Sequence, residues 1–283
     1  MQNMVSSPPA TIVNVPVSRS VRFRQAFWRK FLPAFVLLGL LGLWQLITLL
    51  EIYPIFIIPP PLAVAEKAYQ VMLDGRLWVH TWATLSTVLV GLVVGVSVGL
   101  VVGYLIARYP LLEVSLAPGI VALQSTPIVA YAPLLVIWFG SGPTSKIVTS
   151  ALIVFFPTLL NTVVGIRQVP QQFRDLMRVH RATSWQTFVK LEIPAAMPVL
   201  MGGLKISATL AVIGAVVGEF VSANAGLGFL INLSRSQYDT ALVLVAVIML
   251  ALIARTLYWM VGLLERRLLK WQLRARSGTN YTL

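Results

Sequence analysis

Cysteine is absent from this sequence, which removes disulfides, thiol catalysis and cysteine-ligated metals from consideration. Histidine occurs twice, as His80 and His180, and the topology derived below puts the two on opposite sides of a membrane, so they cannot share a metal. No GxSxG, HExxH or paired-histidine motif occurs. Charge is scarce as well. Only 11% of residues are Asp, Glu, Lys or Arg, where a soluble globule carries about 25%. These absences leave little for an integral-membrane enzyme, which needs clustered histidines or acids near one face.

What fills the space is apolar: 58% of residues are hydrophobic. Runs of about 18 or more such residues cross a bilayer as helices, because about 20 residues at 1.5 Å each span the hydrocarbon. Six are predicted, roughly at 31–50, 81–107, 114–139, 147–166, 198–221 and 240–264. With the N-terminus inside, the inner side holds Arg19, Arg22, Arg24, Arg29, Lys30 and Arg108. It also holds Arg167, Arg174, Arg178, Arg181 and Lys190 of one long loop, and Arg266, Arg267, Lys270, Arg274 and Arg276 of the tail. These are sixteen of the 22 cations. The outer side holds Lys67, Arg76, Lys146 and Arg235, and Lys205 and Arg255 lie within spans. That asymmetry is the positive-inside pattern. The net charge of +13 therefore sets topology, and a nucleic-acid surface is the weaker reading.

The organisation expected is a cytoplasmic N-terminal tail (1–30, disordered over 1–18), a membrane domain (31–265) and a basic cytoplasmic C-terminal tail (266–283). No small-x-small cleavage site follows the first apolar run, so residues 31–50 read as a retained span. Pro59, Pro60 and Pro61 forbid a helix where they stand, and Leu62 to Leu73 has the spacing of a short interfacial helix. Trp78 and Trp82 stand where an aromatic belt is expected.

In the second span, Ala83, Thr87, Gly91, Gly95, Gly99, Gly103 and Ala107 recur every four residues. Small residues at that spacing allow close helix approach, here within the chain in preference to a dimer. The third span is broken by "QSTPIVAYAP", which places Gln124, Thr126, Pro127 and Tyr131 in an apolar run; the fourth carries Pro157 and Asn161. Polar residues and prolines in two consecutive spans point to a pathway, because broken helices are tolerated where they line one. Lys205 and Arg255 read as snorkelling side chains. Glu219 has two readings: a gate or pathway carboxylate, or an acceptor for backbone amides of the glycine-rich "NAGLGFLI" turn.

"GSGPTSKI" (140–147) is a near miss for a nucleotide-binding P-loop. Ser145 replaces the glycine before the lysine, Ile147 replaces the magnesium-binding hydroxyl, and no strand precedes it. If the protein moves a solute uphill, another chain must hydrolyse the nucleotide.

The inner loop 167–197 is too long for a simple connection. Within it, Thr183 or Ser184 caps a helix on which Trp185, Phe188 and Leu191 form an apolar edge, flanked by Gln186 and Lys190 and ended by Pro194 and Pro198. Such a helix is either a docking knob for another protein or an interfacial helix on lipid.

This loop resembles the EAA loop of ABC-importer permeases. The glutamate position of that pattern falls on Asp175, the alanines on Leu176 and Met177, the glycine on Arg181, and the Ile-Pro ending on Ile193 and Pro194. The alanines and the glycine are replaced. "IIPPPLAVAEKAYQ", "APLLVIWFGSGPTSKIV", "FFPTLLNTVVGIRQVP" and "VVGEFVSANAGLGFLI" resemble permeases of the nitrate, sulfonate and taurine importer group. Residues 181–221 are most similar to riboflavin and hydroxymethylpyrimidine permeases.

The resemblance implies an all-α integral membrane fold of about six spans in a bacterial inner membrane, with both termini cytoplasmic. It implies a second permease chain, cytoplasmic ATPase subunits and an extracytoplasmic binding protein as partners, with no cofactor. Ala182 to Leu191 would dock the ATPase, and Gln124, Thr126, Pro127, Tyr131, Asn161 and Glu219 are the pathway or gate candidates. An ion-coupled secondary transporter is the other class, but it would need mid-membrane carboxylates and an internal repeat, and neither is found.

Overall fold

A computed structural model describes the backbone of residues 19–270 and the side chains from Phe31 onward, Pro33 excepted. The expected N-terminal disorder (1–18) and residues 271–283 of the basic tail lie outside the described residues. No strand occurs among the described residues; every regular element is helical. The chain divides at Pro61 into two units. The first contains α1 (Arg19–Leu49), which starts well before the predicted span and so takes up part of the expected tail. Its Trp44 indole donates to the Pro59 carbonyl at 3.0 Å, closing the proline turn onto the helix.

The second unit runs from α2 (Pro61–Leu73) through α3 (Arg76–Arg108), α4 (Pro110–Ser125), α5 (Ile128–Phe139), α6 (Pro143–Arg167) and α7 (Gln171–Val179). It continues with α8 (Ser184–Thr187), a π-helical turn (Phe188–Glu192), α9 (Ile193–Val221), α10 (Leu227–Ser236) and α11 (Thr240–Leu268). Pro61, Pro110 and Pro143 each open a helix, where the missing N–H costs nothing. Four of these helices are long and apolar enough to cross a membrane; α4 and α5, bent by 101° to one another, make a fifth span if counted as one. The apolar stretch Ala34–Leu49 of α1 is shorter.

The core is a three-helix contact of small residues. Gly91, Gly95, Gly99 and Gly103 of α3 lie against Ser150, Val154, Thr158 and Thr162 of α6, which share the four-residue spacing. A Cβ on Gly95 would sit 2.5 Å from the Ala151 carbonyl oxygen, so the two backbones are nearly in contact. The glycine stripe is thus consumed within the chain. On its other side α6 meets α9: the Ser150 hydroxyl donates to the Ala211 carbonyl (3.0 Å), and the Thr158 and Ser207 hydroxyls share a hydrogen bond (2.9 Å). Such bonds contribute about 0.6 kcal/mol each in membrane bundles, in addition to the close backbone packing along the stripe.

Lys205 of α9 has a counter-ion within the bundle. Its ammonium pairs with Glu265 of α11, crossing from α9 to the last helix. Asp239 accepts from the Leu242 N–H as the cap of α11 and pairs with Lys67 of α2 at 2.8 Å, fastening the short helix to the turn before α11.

Candidate functional site

Thr126 and Pro127 form the break between α4 and α5, both with extended backbone. Proline at 127 supplies no N–H, and the residue before it is driven out of the helical region. The break opens a cleft of about 410 Å3 whose lining includes Gln124, Thr126, Pro127, Tyr131, Phe156, Pro157 and Asn161. All five neutral candidates from the sequence therefore converge, although Asn161 stands on α6 and the other four on α4, α5 and the break between them. Asn161 is held by its own helix: its amide donates to the Pro157 carbonyl at 2.7 Å. Among the described residues no charged side chain lines the cleft. It presents hydroxyls, amides and two aromatic rings.

Glu219 is not in that lining. It is 2% exposed and serves the start of α10, where three successive backbone N–H groups would otherwise be orphans. Gly226 donates to His80 Nδ1 (3.1 Å), Leu227 to Thr84 Oγ1 (2.7 Å) and Gly228 to Glu219 Oε2 (2.7 Å). The Thr84 hydroxyl in turn donates to Glu219 Oε1 at 2.8 Å. Nothing in the sequence around His80 and Thr84, one turn apart on α3, marks them for this task. Gly226 is required there, with φ +127° and no room for a Cβ beside the carboxylate.

In the inner loop, α7 ends in a Schellman motif. Arg181 N–H donates to Arg178 O and Ala182 N–H to Met177 O, both at 2.9 Å, with Arg181 at φ +52°. The position of the missing EAA glycine therefore keeps the left-handed geometry that favours glycine, now held by arginine. Asp175 pairs with Arg178 (3.1 Å) and accepts from Gln171 (3.0 Å) on the exposed face.

Thr183 caps the next helix reciprocally with Gln186: Gln186 N–H donates to Thr183 Oγ1, and Thr183 N–H to Gln186 Oε1. Gln186 is thus spent on the cap. Pro194 and Pro198 do not end this helix. It continues as one run from Ser184 to Val221. The π turn precedes Pro194, its Ile193 N–H reaching back to Phe188 O; the widened turn takes up a proline that an α-helix interior would reject.

Trp185 is 71% exposed and Lys190 is exposed, whereas Phe188 is half-buried with its ring edge-on to Tyr104 at 4.7 Å. Beneath it lies Glu192, 2% exposed, a site residue that the sequence pattern does not announce. It accepts from the Tyr104 hydroxyl (3.1 Å) and faces Arg174 at 3.5 Å, while Arg174 donates to the Ile166 carbonyl (2.8 Å). The exposed helix is thereby tied to α3, α6 and α7.

A kinked span with a neutral polar cleft, combined with an exposed aromatic helix rooted in the bundle, describes a membrane transport subunit. Residues 95–270 match the family of binding-protein-dependent transport system inner membrane components, and the chain belongs to that family. Similar proteins include the riboflavin transport system permease protein RibX of Chloroflexus aurantiacus, 48% identical over 90% of this chain and 96% of that one. The formylaminopyrimidine transport permease protein ThiX of Halalkalibacterium halodurans is 30% identical over 85% and 95% of the two chains. The taurine permease TauC of Escherichia coli is 30% identical over 92% and 98%. Among solved structures, an inward-facing form of the MetNI methionine ABC transporter superposes with a TM-score of 0.61, covering 70% of this chain and 97% of that one at 19% identity. The chain is a multi-pass inner-membrane permease subunit.

Proposed function

We propose that this permease carries riboflavin or a close vitamin precursor inward, driven by ATP hydrolysed on a partner chain. The observation that carries the substrate assignment is the 48% identity to a riboflavin permease along nearly the whole of both chains. The cleft supports it. Its neutral hydrogen-bonding groups and the rings of Tyr131 and Phe156 suit an uncharged heteroaromatic solute, and it offers no cation to a sulfonate or nitrate.

Two copies of the chain pair across α4 and α5. Helix α4 buries none of its side chains within the chain, and Gln124 on it and Thr126 just beyond it are exposed; facing lipid they would be costly, whereas facing a second copy they border the pathway. Both termini are cytoplasmic. The ATPase subunits dock at the helix from Ala182 to Leu191, with Trp185 as principal anchor and Lys190 beside it. A binding protein delivers the solute from the opposite side.

The test is uptake of labelled riboflavin by cells expressing the permease with its native ATPase and binding protein, with a hydrolysis-dead ATPase as control. Uptake that disappears in the control is expected. An assembled complex without uptake overturns the riboflavin assignment and moves it to the pyrimidine precursor, then to sulfonates. Trp185→Asp should weaken ATPase association about thirtyfold or more, the loss of one hot-spot aromatic, while the membrane domain stays folded. Undiminished co-purification overturns the docking assignment.

A further inference from the structure

Two cavities meet at the root of the exposed helix. One, of about 190 Å3, is polar and is lined by Arg108, Arg174 and Arg178 with the hydroxyls of Ser184 and Thr187. The other, of about 330 Å3, is almost wholly apolar and is walled by Leu100, Phe188, Met197 and Leu204 among others; it touches the transport cleft only through Asn161. Tyr104 lines both cavities. Its hydroxyl bonds Glu192 on the polar side, and its ring packs on Phe188 on the apolar side.

We infer that this pair is a binding site for one anionic phospholipid, its phosphodiester among the three arginines and part of an acyl chain in the apolar cavity. Charge complementarity selects the headgroup. Arg174 offsets Glu192, the carboxylate of the polar cavity, and Arg178 pairs with Asp175 at the exposed rim, which leaves Arg108 in excess. Arg174 Nε–H and Glu192 Oε1 are buried in the cavity wall without hydrogen-bond partners, so the exposed guanidinium of Arg108 is the group that meets the phosphate. Basic pockets between membrane helices hold anionic headgroups for this reason. The apolar cavity beside it supplies what a free anion has no use for. The site is independent of which solute the permease carries.

The experiment uses the intact permease–ATPase complex in mild detergent, analysed by native mass spectrometry against dioleoyl phosphatidylglycerol, dioleoyl phosphatidylcholine and inorganic phosphate. Retention of phosphatidylglycerol over phosphatidylcholine is expected. Arg108→Gln with Arg178→Gln should reduce it about thirtyfold, the effect of removing two cations near an anionic headgroup. Leu100→Trp, which fills the apolar cavity, should reduce phosphatidylglycerol retention and leave phosphate binding unchanged. Equal retention of the two lipids, or full retention by both variants, overturns the proposal. Phosphate displacing the lipid at equal concentration assigns the site to a free anion and overturns it too. ATPase loss from the double arginine variant, with lipid still bound, assigns those arginines to an acidic protein surface instead.

Discussion

Replacing Thr84 by valine keeps the shape of a buried side chain and deletes one hydroxyl that does two things. Its proton goes to Glu219 Oε1, and its lone pair takes the Leu227 N–H. Valine leaves both groups unpartnered, at about 1–3 kcal/mol per buried group, so Thr84→Val should destabilise by about 2–6 kcal/mol. Glu219→Ala strands the Gly228 N–H and the Thr84 hydroxyl and should cost a similar amount. Glu219→Gln keeps an oxygen for Gly228 but turns an N–H towards Thr84, whose hydroxyl proton then has no acceptor, so it should cost about 1–3 kcal/mol, less than Glu219→Ala. The Thr84→Val/Glu219→Ala pair should be non-additive by about 0.5–3 kcal/mol, the range for residues in one hydrogen-bond network. Equilibrium unfolding in mixed micelles measures all of these, and riboflavin uptake is followed in parallel. If Thr84→Val and Glu219→Ala each stay within about 0.5 kcal/mol of the parent, as an unremarkable surface change does, the hydroxyl does not serve both groups. An additive cycle has the same meaning. Loss of uptake by a stable Glu219→Gln would put the carboxylate in the transport step.

Two further outcomes follow from backbone geometry. Gly95→Ala drives a methyl into the Ala151 carbonyl and Val154 and should cost up to about 2 kcal/mol after the helix-propensity gain is credited. Gly202→Ala, which has nothing within 4 Å, should be neutral or stabilising; equal unfolding midpoints for the two contradict the close-packed stripe. Arg181→Gly removes a left-handed strain of about 1–2 kcal/mol and costs about 0.5–1 kcal/mol in unfolded-state entropy. It should therefore slow amide exchange across residues 177–182, and faster exchange rejects the Schellman assignment.

The spans, the break at Pro127 and the Thr183 cap are legible because each is written in neighbouring residues: an apolar run, a proline beside polar groups, a threonine shortly before Gln186. The glycine stripe is legible for the same reason, and even its partner helix repeats the period. Thr84, His80 and Glu192 are not. Their partners lie 135, 146 and 88 residues away along the chain, and nothing in a threonine or a tyrosine announces a distant carboxylate. The counter-ion of Lys205 is hidden for the same reason, because Glu265 stands on another helix near the far end of the chain. The two prolines mislead for a different reason. Spacing reveals where an α-helix is forbidden but not that one wider turn can absorb the fault.

That unbroken run from Ser184 to Val221 has a mechanical meaning. Its 38 residues make a rod of about 57 Å, nearly twice the hydrocarbon thickness, so a good part of it projects beyond the bilayer as a handle. Pivoting such a rod by about 5° sweeps one end through about 5 Å relative to the other. One end carries the exposed Trp185; the far tip carries Glu219 and, through it, the first turn of α10. A force applied by another protein at the handle would be felt on the opposite face of the membrane without any intermediate part having to change its fold.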